Sequence, residues 1–165
     1  MIVGVAREMG PGEKRVALVP AAVAPLVKAG LEVLVETGAG EAAGYPTADY
    51  TDKGAAAVSR ADLFARADIL FQINGPGVES TAAGLAETRN GQVLIGMQDP
   101  LGNPSGTAAM AEKGVTAFSL EMVPRITRAQ SMDVLSSMAT VAGYQAVLEA
   151  ASYLPRLFPM LMTAA

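Results

Sequence analysis

The chain has 165 residues, with 12 basic and 16 acidic side chains, a formal net charge of −4, and no cysteine, histidine or tryptophan. Those absences exclude disulfides, thiolate nucleophiles, the commonest zinc ligand and the commonest general base at neutral pH, so no metal site is expected; the acidic balance, with a pI near 4.8, lacks the clustered cations of a nucleic-acid binder. One domain of roughly 100–200 residues is the expectation at this length, and with 31 alanines and only 8 aromatic residues its core should be small-residue and closely packed.

Met1-Ile2-Val3-Gly4-Val5 reads as the start of a strand, Ile2 to Ala6, and has neither the charged region nor the long apolar region of a signal peptide. A Pro-Gly turn follows, bearing Glu8 and Glu13-Lys14-Arg15 at the carboxyl end of strand one, where open sheets place ligands. Arg15 has two readings there, a clamp for an anion or carboxylate or a surface ion pair with Glu8 or Glu13. Pro20 suits the first position of a helix whose Val23, Leu26 and Val27 share one face, and that face should lie on the sheet.

From here a single junction recurs, in which a polar residue and a glycine close a helix and a strand begins. Gly30 precedes Leu31 to Val35, Gly54 precedes Ala55 to Val58, Gly91 precedes Gln92 to Ile95, and Gly114 precedes Val115 to Phe118, with Ile69 to Ile73 as a further strand. Glycine takes the left-handed conformation that ends a helix. The strands are continuous apolar runs, as a parallel sheet covered on both faces requires. The expected fold is α/β, a doubly wound, mostly parallel sheet of flavodoxin-like or Rossmann-like type. Gly38-Ala39-Gly40-Glu41-Ala42-Ala43 matches the spelling GxGxxA, but Gly44 and Pro46 stand where the helix of a dinucleotide fingerprint would begin, so it reads as a loop. Asp99-Pro100 and Asn103-Pro104 read as turns, with Pro104 suited to a helix start.

After Pro124 the grammar changes. Arg128 to Ser152 carries no proline and one glycine, which fits one long helix, broken near Ser136-Ser137; two prolines in Leu154 to Pro159 then oppose further helix. No run reaches the ~18–20 apolar residues of a membrane span. The segment Arg125 to Asp133 places two arginines, an amide, a hydroxyl and a carboxylate between a strand end and this helix. Gln130 and Asp133, three apart, would share a helical face, with Arg125 approaching from the loop. Arginine for an anion, and glutamine and aspartate for matched donors and acceptors, suit a ligand with phosphates and a carboxamide. Helix-start chemistry, in which Ser131 or Asp133 caps free amides and the arginines are solvated, is the competing reading. Tyr144 and Tyr153 read as helix packing.

Val123-Pro124-Arg125-Ile126-Thr127-Arg128-Ala129-Gln130-Ser131-Met132-Asp133, then Leu135 to Ala139 and Ala142-Gly143-Tyr144, closely resembles the NAD(H)-binding component of proton-translocating NAD(P) transhydrogenases. The resemblance extends through Glu13 to Ala17 and Val35 to Gly40 to the terminal Met162-Thr163-Ala164-Ala165, and alanine dehydrogenases share the domain more distantly. It implies hydride transfer between NADH and NADP+ coupled to proton movement, with Arg125, Gln130 and Asp133 at the nicotinamide end of NAD(H), Ser136 nearby, and the Arg125-Ile126-Thr127 backbone along the same ligand.

The resemblance also implies NADP(H) on a partner beta subunit, membrane-embedded partner subunits, a homodimer in the intact enzyme, and a peripheral position on the cytoplasmic side of a bacterial inner membrane. Asn74 and Asp99 stand where the alanine dehydrogenase branch has its lysine and histidine. Proton transfer at an imine needs such groups, whereas hydride transfer between two nicotinamide rings needs alignment and exclusion of water. An alanine dehydrogenase-type oxidoreductase and a non-catalytic assembly module are the alternatives. The expected organisation is an α/β domain at 1–130, a long linking helix at 131–154, and at 155–165 a lead-in to an NAD-binding Rossmann domain absent from this chain. Without that domain the chain is expected to bind NAD(H) weakly or not at all and to have no turnover.

Overall fold

A computed structural model describes residues 1–76, 78, 82–156 and 158. The chain divides into two compact units, Met1–Met122 and Val123–Ala165.

In the first unit the apolar runs form six strands: β1 Ile2–Val5, β2 Glu32–Glu36, β3 Ala56–Val58, β4 Ile69–Asn74, β5 Val93–Met97 and β6 Thr116–Ser119. Each lies within a residue or two of its expected bounds. All pairs are parallel, in the order β3-β2-β1-β4-β5-β6. The first strand is therefore central, with Val5 opposite Val35 on one side and Phe71 on the other. The connecting helices are α1 Val23–Lys28, α2 Thr47–Thr51, α3 Arg60–Arg66, α4 Ala82–Glu87 and α5 Pro104–Glu112. Gly30, Gly54, Gly91 and Gly114, the expected stops, all have φ between +71° and +99°, a conformation costly for any residue with a Cβ.

Two apolar clusters fill the faces of the sheet. Val5, Val33 and Val35 pack with Val23 of α1 and Tyr50 of α2, while Leu34, Leu70 and Leu94 pack with Leu63 and Phe64 of α3 and Met110 of α5. This is the doubly wound, Rossmann-like arrangement expected, with every strand parallel. Tyr50 is fully buried and donates its hydroxyl to the Leu18 carbonyl at 2.9 Å; burial pushes that hydroxyl up to about 12, so it stays a donor. One packing expectation fails. Val23 is buried and Leu26 packs at the edge of the core, but Val27 remains 39% exposed, because its methyls lie at the rim of this six-residue helix, beside Gly54.

The second unit begins with an extended stretch and a 3-10 turn at Thr127–Met132, followed by α6 Val134–Tyr153. The helix neither starts as early as expected nor breaks at Ser136-Ser137. Asp133 is extended (φ −78°, ψ 92°) and caps the first turn: its carboxylate accepts the Ser136 amide at 3.0 Å and the Ser136 hydroxyl at 2.6 Å, and the Ser137 hydroxyl bonds the Asp133 carbonyl at 3.1 Å. The serines that suggested a break thus seal the start. Leu154 leaves the helix in an extended conformation ahead of Pro155, as the residue before a proline prefers. No residue of α6 is buried, and no helix among the described residues is long and apolar enough to cross a membrane. The lead-in expected at 155–165 lies, apart from residues 155, 156 and 158, outside the described residues.

Candidate functional site

In the order 3-2-1-4-5-6 the connections reverse direction between β1 and β4, and ligands of such sheets sit outside the carboxyl ends of the strands at that point. A cleft of about 230 Å³ opens beside that point, at the carboxyl ends of β1 and β2 in the first unit, lined by Arg7, Glu8, Glu13, Arg15, Gly38 and Ala42 among others. Arg15 resolves to the ion-pair reading. Its guanidinium grips Glu13 through Nε at 2.8 Å and a terminal nitrogen at 2.6 Å, and the Asn74 amide adds a bond to Glu13 at 3.2 Å. The Arg15 hydrogen bonds hold the Glu13 carboxyl down at about 2. Glu8 accepts the amides of Ile73 at 2.6 Å and Asn74 at 3.2 Å, which ties the turn after β1 to the end of β4.

The loop reading of the GxGxxA stretch holds. Gly38 has φ +82°, Glu41–Ala43 form a short 3-10 turn, Gly44 closes it with φ +85°, and α2 begins only after Pro46. The stretch therefore opens no α-helix whose amides could face a pyrophosphate. Gly40 has a packing cause instead, since a Cβ there would lie 2.6 Å from the Tyr50 hydroxyl and 2.7 Å from the Tyr45 carbonyl. Glu36, which ends β2 where dinucleotide folds place the acid that takes ribose hydroxyls, is spent internally. Its carboxylate accepts the Arg7 amide at 2.9 Å and an Arg60 nitrogen at 3.1 Å. Arg60 also chelates Glu87 and stacks 4.8 Å above Phe64.

In the second unit the Arg125 to Ser136 segment resolves residue by residue. Ile126 is extended and 54% exposed, and its amide reaches the Pro124 carbonyl at 2.9 Å. Thr127 starts the 3-10 turn, whose Ala129 amide bonds the Ile126 carbonyl at 2.9 Å, with Ala129 buried. Gln130 lies on that turn and Asp133 beyond it, so the shared α-helical face expected of the two does not exist. Asp133 and Ser136 are in direct contact. The Ser136 hydroxyl and amide, followed by the nearby Arg125 charge, lower the Asp133 carboxyl below its ordinary range. Helix capping accounts for Asp133 and Ser136. It does not account for Arg125 and Gln130, which are exposed and whose side chains form no hydrogen bond among the described residues.

Asp99-Pro100 and Asn103-Pro104 are turns as read. The Asp99 carboxylate accepts the Gly102 amide at 3.1 Å, and Asn103 caps α5 by accepting the Gly106 amide at 3.0 Å. Sequence reasoning missed Glu36 with Arg60, and Glu121 with Gln98. In each case the partners are more than twenty residues apart, and neither lies in a motif that could have signalled the pair.

The family described as "Alanine dehydrogenase/PNT, N-terminal domain" matches residues 4–142. The NAD(P) transhydrogenase subunit alpha of Cereibacter sphaeroides is 42% identical over 166 residues, an alignment that takes in 100% of this chain and 31% of that protein. Among solved structures, the transhydrogenase from Sinorhizobium meliloti aligns with a TM-score of 0.88 and 44% identity over 99% of this chain and 48% of its own. An L-alanine dehydrogenase aligns with a TM-score of 0.83 and 30% identity over 93% of this chain and 41% of its own. The chain spans between about a third and a half of the length of these relatives.

Proposed function

The chain belongs to the alanine dehydrogenase/PNT N-terminal domain family, and from that premise we propose that it is the N-terminal part of an NAD(P) transhydrogenase alpha-type subunit. In this reading the Arg125 segment positions the nicotinamide end of NAD(H) for direct hydride transfer to NADP+, coupled to proton translocation. NADP(H) sits on a partner beta subunit. The chain is peripheral to membrane-embedded subunits, on the cytoplasmic side of a bacterial inner membrane, within a homodimeric alpha component.

The observation that carries this reading is the division of labour between Asp133 and Arg125. Asp133 and Ser136 fix the helix start through their own bonds, while Arg125 and Gln130 keep their donors exposed. A planar guanidinium suits phosphate oxygens and a primary amide pairs with a carboxamide, so the residues present fit NAD(H). NAD(H), when bound, supplies the hydride. Ile126 runs extended into the turn that Thr127 starts, and the two present backbone groups along the ligand. The work of these residues is alignment, which is most of what a hydride transfer between two rings asks of a protein.

The alanine dehydrogenase alternative needs acid–base groups at positions 74 and 99. Asn74 is an amide that donates to Glu13, and Asp99 accepts from the amide of its own turn. Neither position carries a lysine or a histidine. In the intact protein with its NADP-binding partner, Arg125→Ala and Gln130→Ala should each slow hydride transfer, by about 10- to 100-fold for a misplaced ring. Unchanged rates would reduce the segment to a structural link and favour the assembly-module reading. Alanine-dependent NADH production by the intact protein would favour the dehydrogenase.

A further inference from the structure

Gln98, one residue beyond β5, is 1% exposed, yet neither its Nε2 nor its Oε1 has a hydrogen-bond partner among the described residues. Glu121 spends Oε1 on the amides of Gln98, at 2.8 Å, and of Asp99, and its buried Oε2 is left without a partner. Gln72 on β4 carries a third such atom, Oε1. Folded proteins satisfy the great majority of buried polar atoms, with ordered water where protein groups do not reach.

The Gln98 amide is wedged in place. A Cβ built on Gly75 would lie 2.2 to 2.4 Å from its amide atoms, so the side chain rests directly on that backbone. The Gly75 amide itself is committed to the Met97 carbonyl at 2.8 Å. Glu121 is thus tied to the Gln98 main chain, while the two side chains are not bonded to each other.

The chemistry of the orphan atoms selects the occupant. A metal cation would suit Gln98 Oε1 and Glu121 Oε2 but leave the two N–H donors of Nε2 unmet, and an anion would be repelled by the Glu121 carboxylate. Water has both donors and acceptors. We propose that an ordered internal water links the Gln98 amide to Glu121 Oε2, accepting from the first and donating to the second. The water would stitch the turn after β5 to Glu121 and so help hold Asp99 at its φ of +49°, a left-handed conformation that needs support from its surroundings.

The test is a crystal structure of the intact protein at a resolution that places ordered waters, beside that of Gln98→Met. The expected result is a water about 2.5–3.2 Å from both the Gln98 amide and Glu121 Oε2, lost in the methionine variant. A direct Gln98–Glu121 hydrogen bond, a dry site, or density that refines as a metal ion would overturn the proposal. So would the same water in an unchanged position in Gln98→Met. If that variant fails to fold, the structure of the unaltered protein decides alone.

Discussion

Glu13 is held by four donors, two from the Arg15 guanidinium, one from the Arg15 backbone amide and one from the Asn74 side-chain amide, and its carboxyl is depressed to about 2 from an ordinary 4.5. A group whose folded value is lowered contributes stability that is fully present above the unfolded value and is lost as pH falls through the folded one. Between pH ~4.5 and ~2, folded Glu13 must therefore give up its bonds. Arg15 is 38% exposed, so solvent screening discounts the contribution to about 1–2 kcal/mol. Glu13→Gln should lower the urea-unfolding free energy at pH 7 by that amount, with the gap closing at roughly pH 2–3; an equal gap at both pH values would assign the loss to packing. Gly40→Ala tests a different residue-scale constraint. Its methyl would meet the Tyr50 hydroxyl at 2.6 Å and the Tyr45 carbonyl at 2.7 Å, and a close-packed core resists such an insertion by about 1–3 kcal/mol, measurable as a lower denaturant midpoint. The spelling GxGxxA hides this cause, since it reports spacing but not which side chain presses on the glycine.

At the scale of elements, the strands were legible because a buried parallel strand is a short apolar run, set off here by a glycine helix stop in front of most of them. Val33-Leu34-Val35 and Val93-Leu94-Ile95 carry that signal in three residues each. The start of α6 was not legible, because serines compete with the helical backbone as readily as they seal it, and only the bonds of Ser136 and Ser137 to Asp133 decide which. Asn is as good a cap as Asp, which separates the two jobs of residue 133. Asp133→Asn should keep helix stability within about 0.5 kcal/mol, whereas Asp133→Ala should lose about 1 kcal/mol in a thermal melt followed by circular dichroism. If the charge also serves the nicotinamide end of the ligand, Asp133→Asn in the intact protein slows hydride transfer while leaving the melt unchanged. A slow and destabilised Asp133→Asn would mean that capping alone explains the residue.

Over the whole molecule, the positions where a doubly wound sheet holds a dinucleotide are already spent: Glu36 serves Arg7 and Arg60, and the glycine turn opens a 3-10 turn rather than an α-helix. NADH titrated calorimetrically into these 165 residues alone should therefore give no tight, stoichiometric binding, and a sharp stoichiometric isotherm would place a complete cofactor site within this chain. The placement of β1 has a separate consequence, for the order in which the protein is made. β1 is synthesised before either of its sheet neighbours and becomes the middle plank, bonded on one edge to β2 and on the other to β4, with the Ile2 amide fastened to the Asp68 carboxylate at 2.8 Å. Its second neighbour is synthesised more than sixty residues later. Until then β1 has one bare edge, and the nascent chain must keep that edge from pairing with anything else.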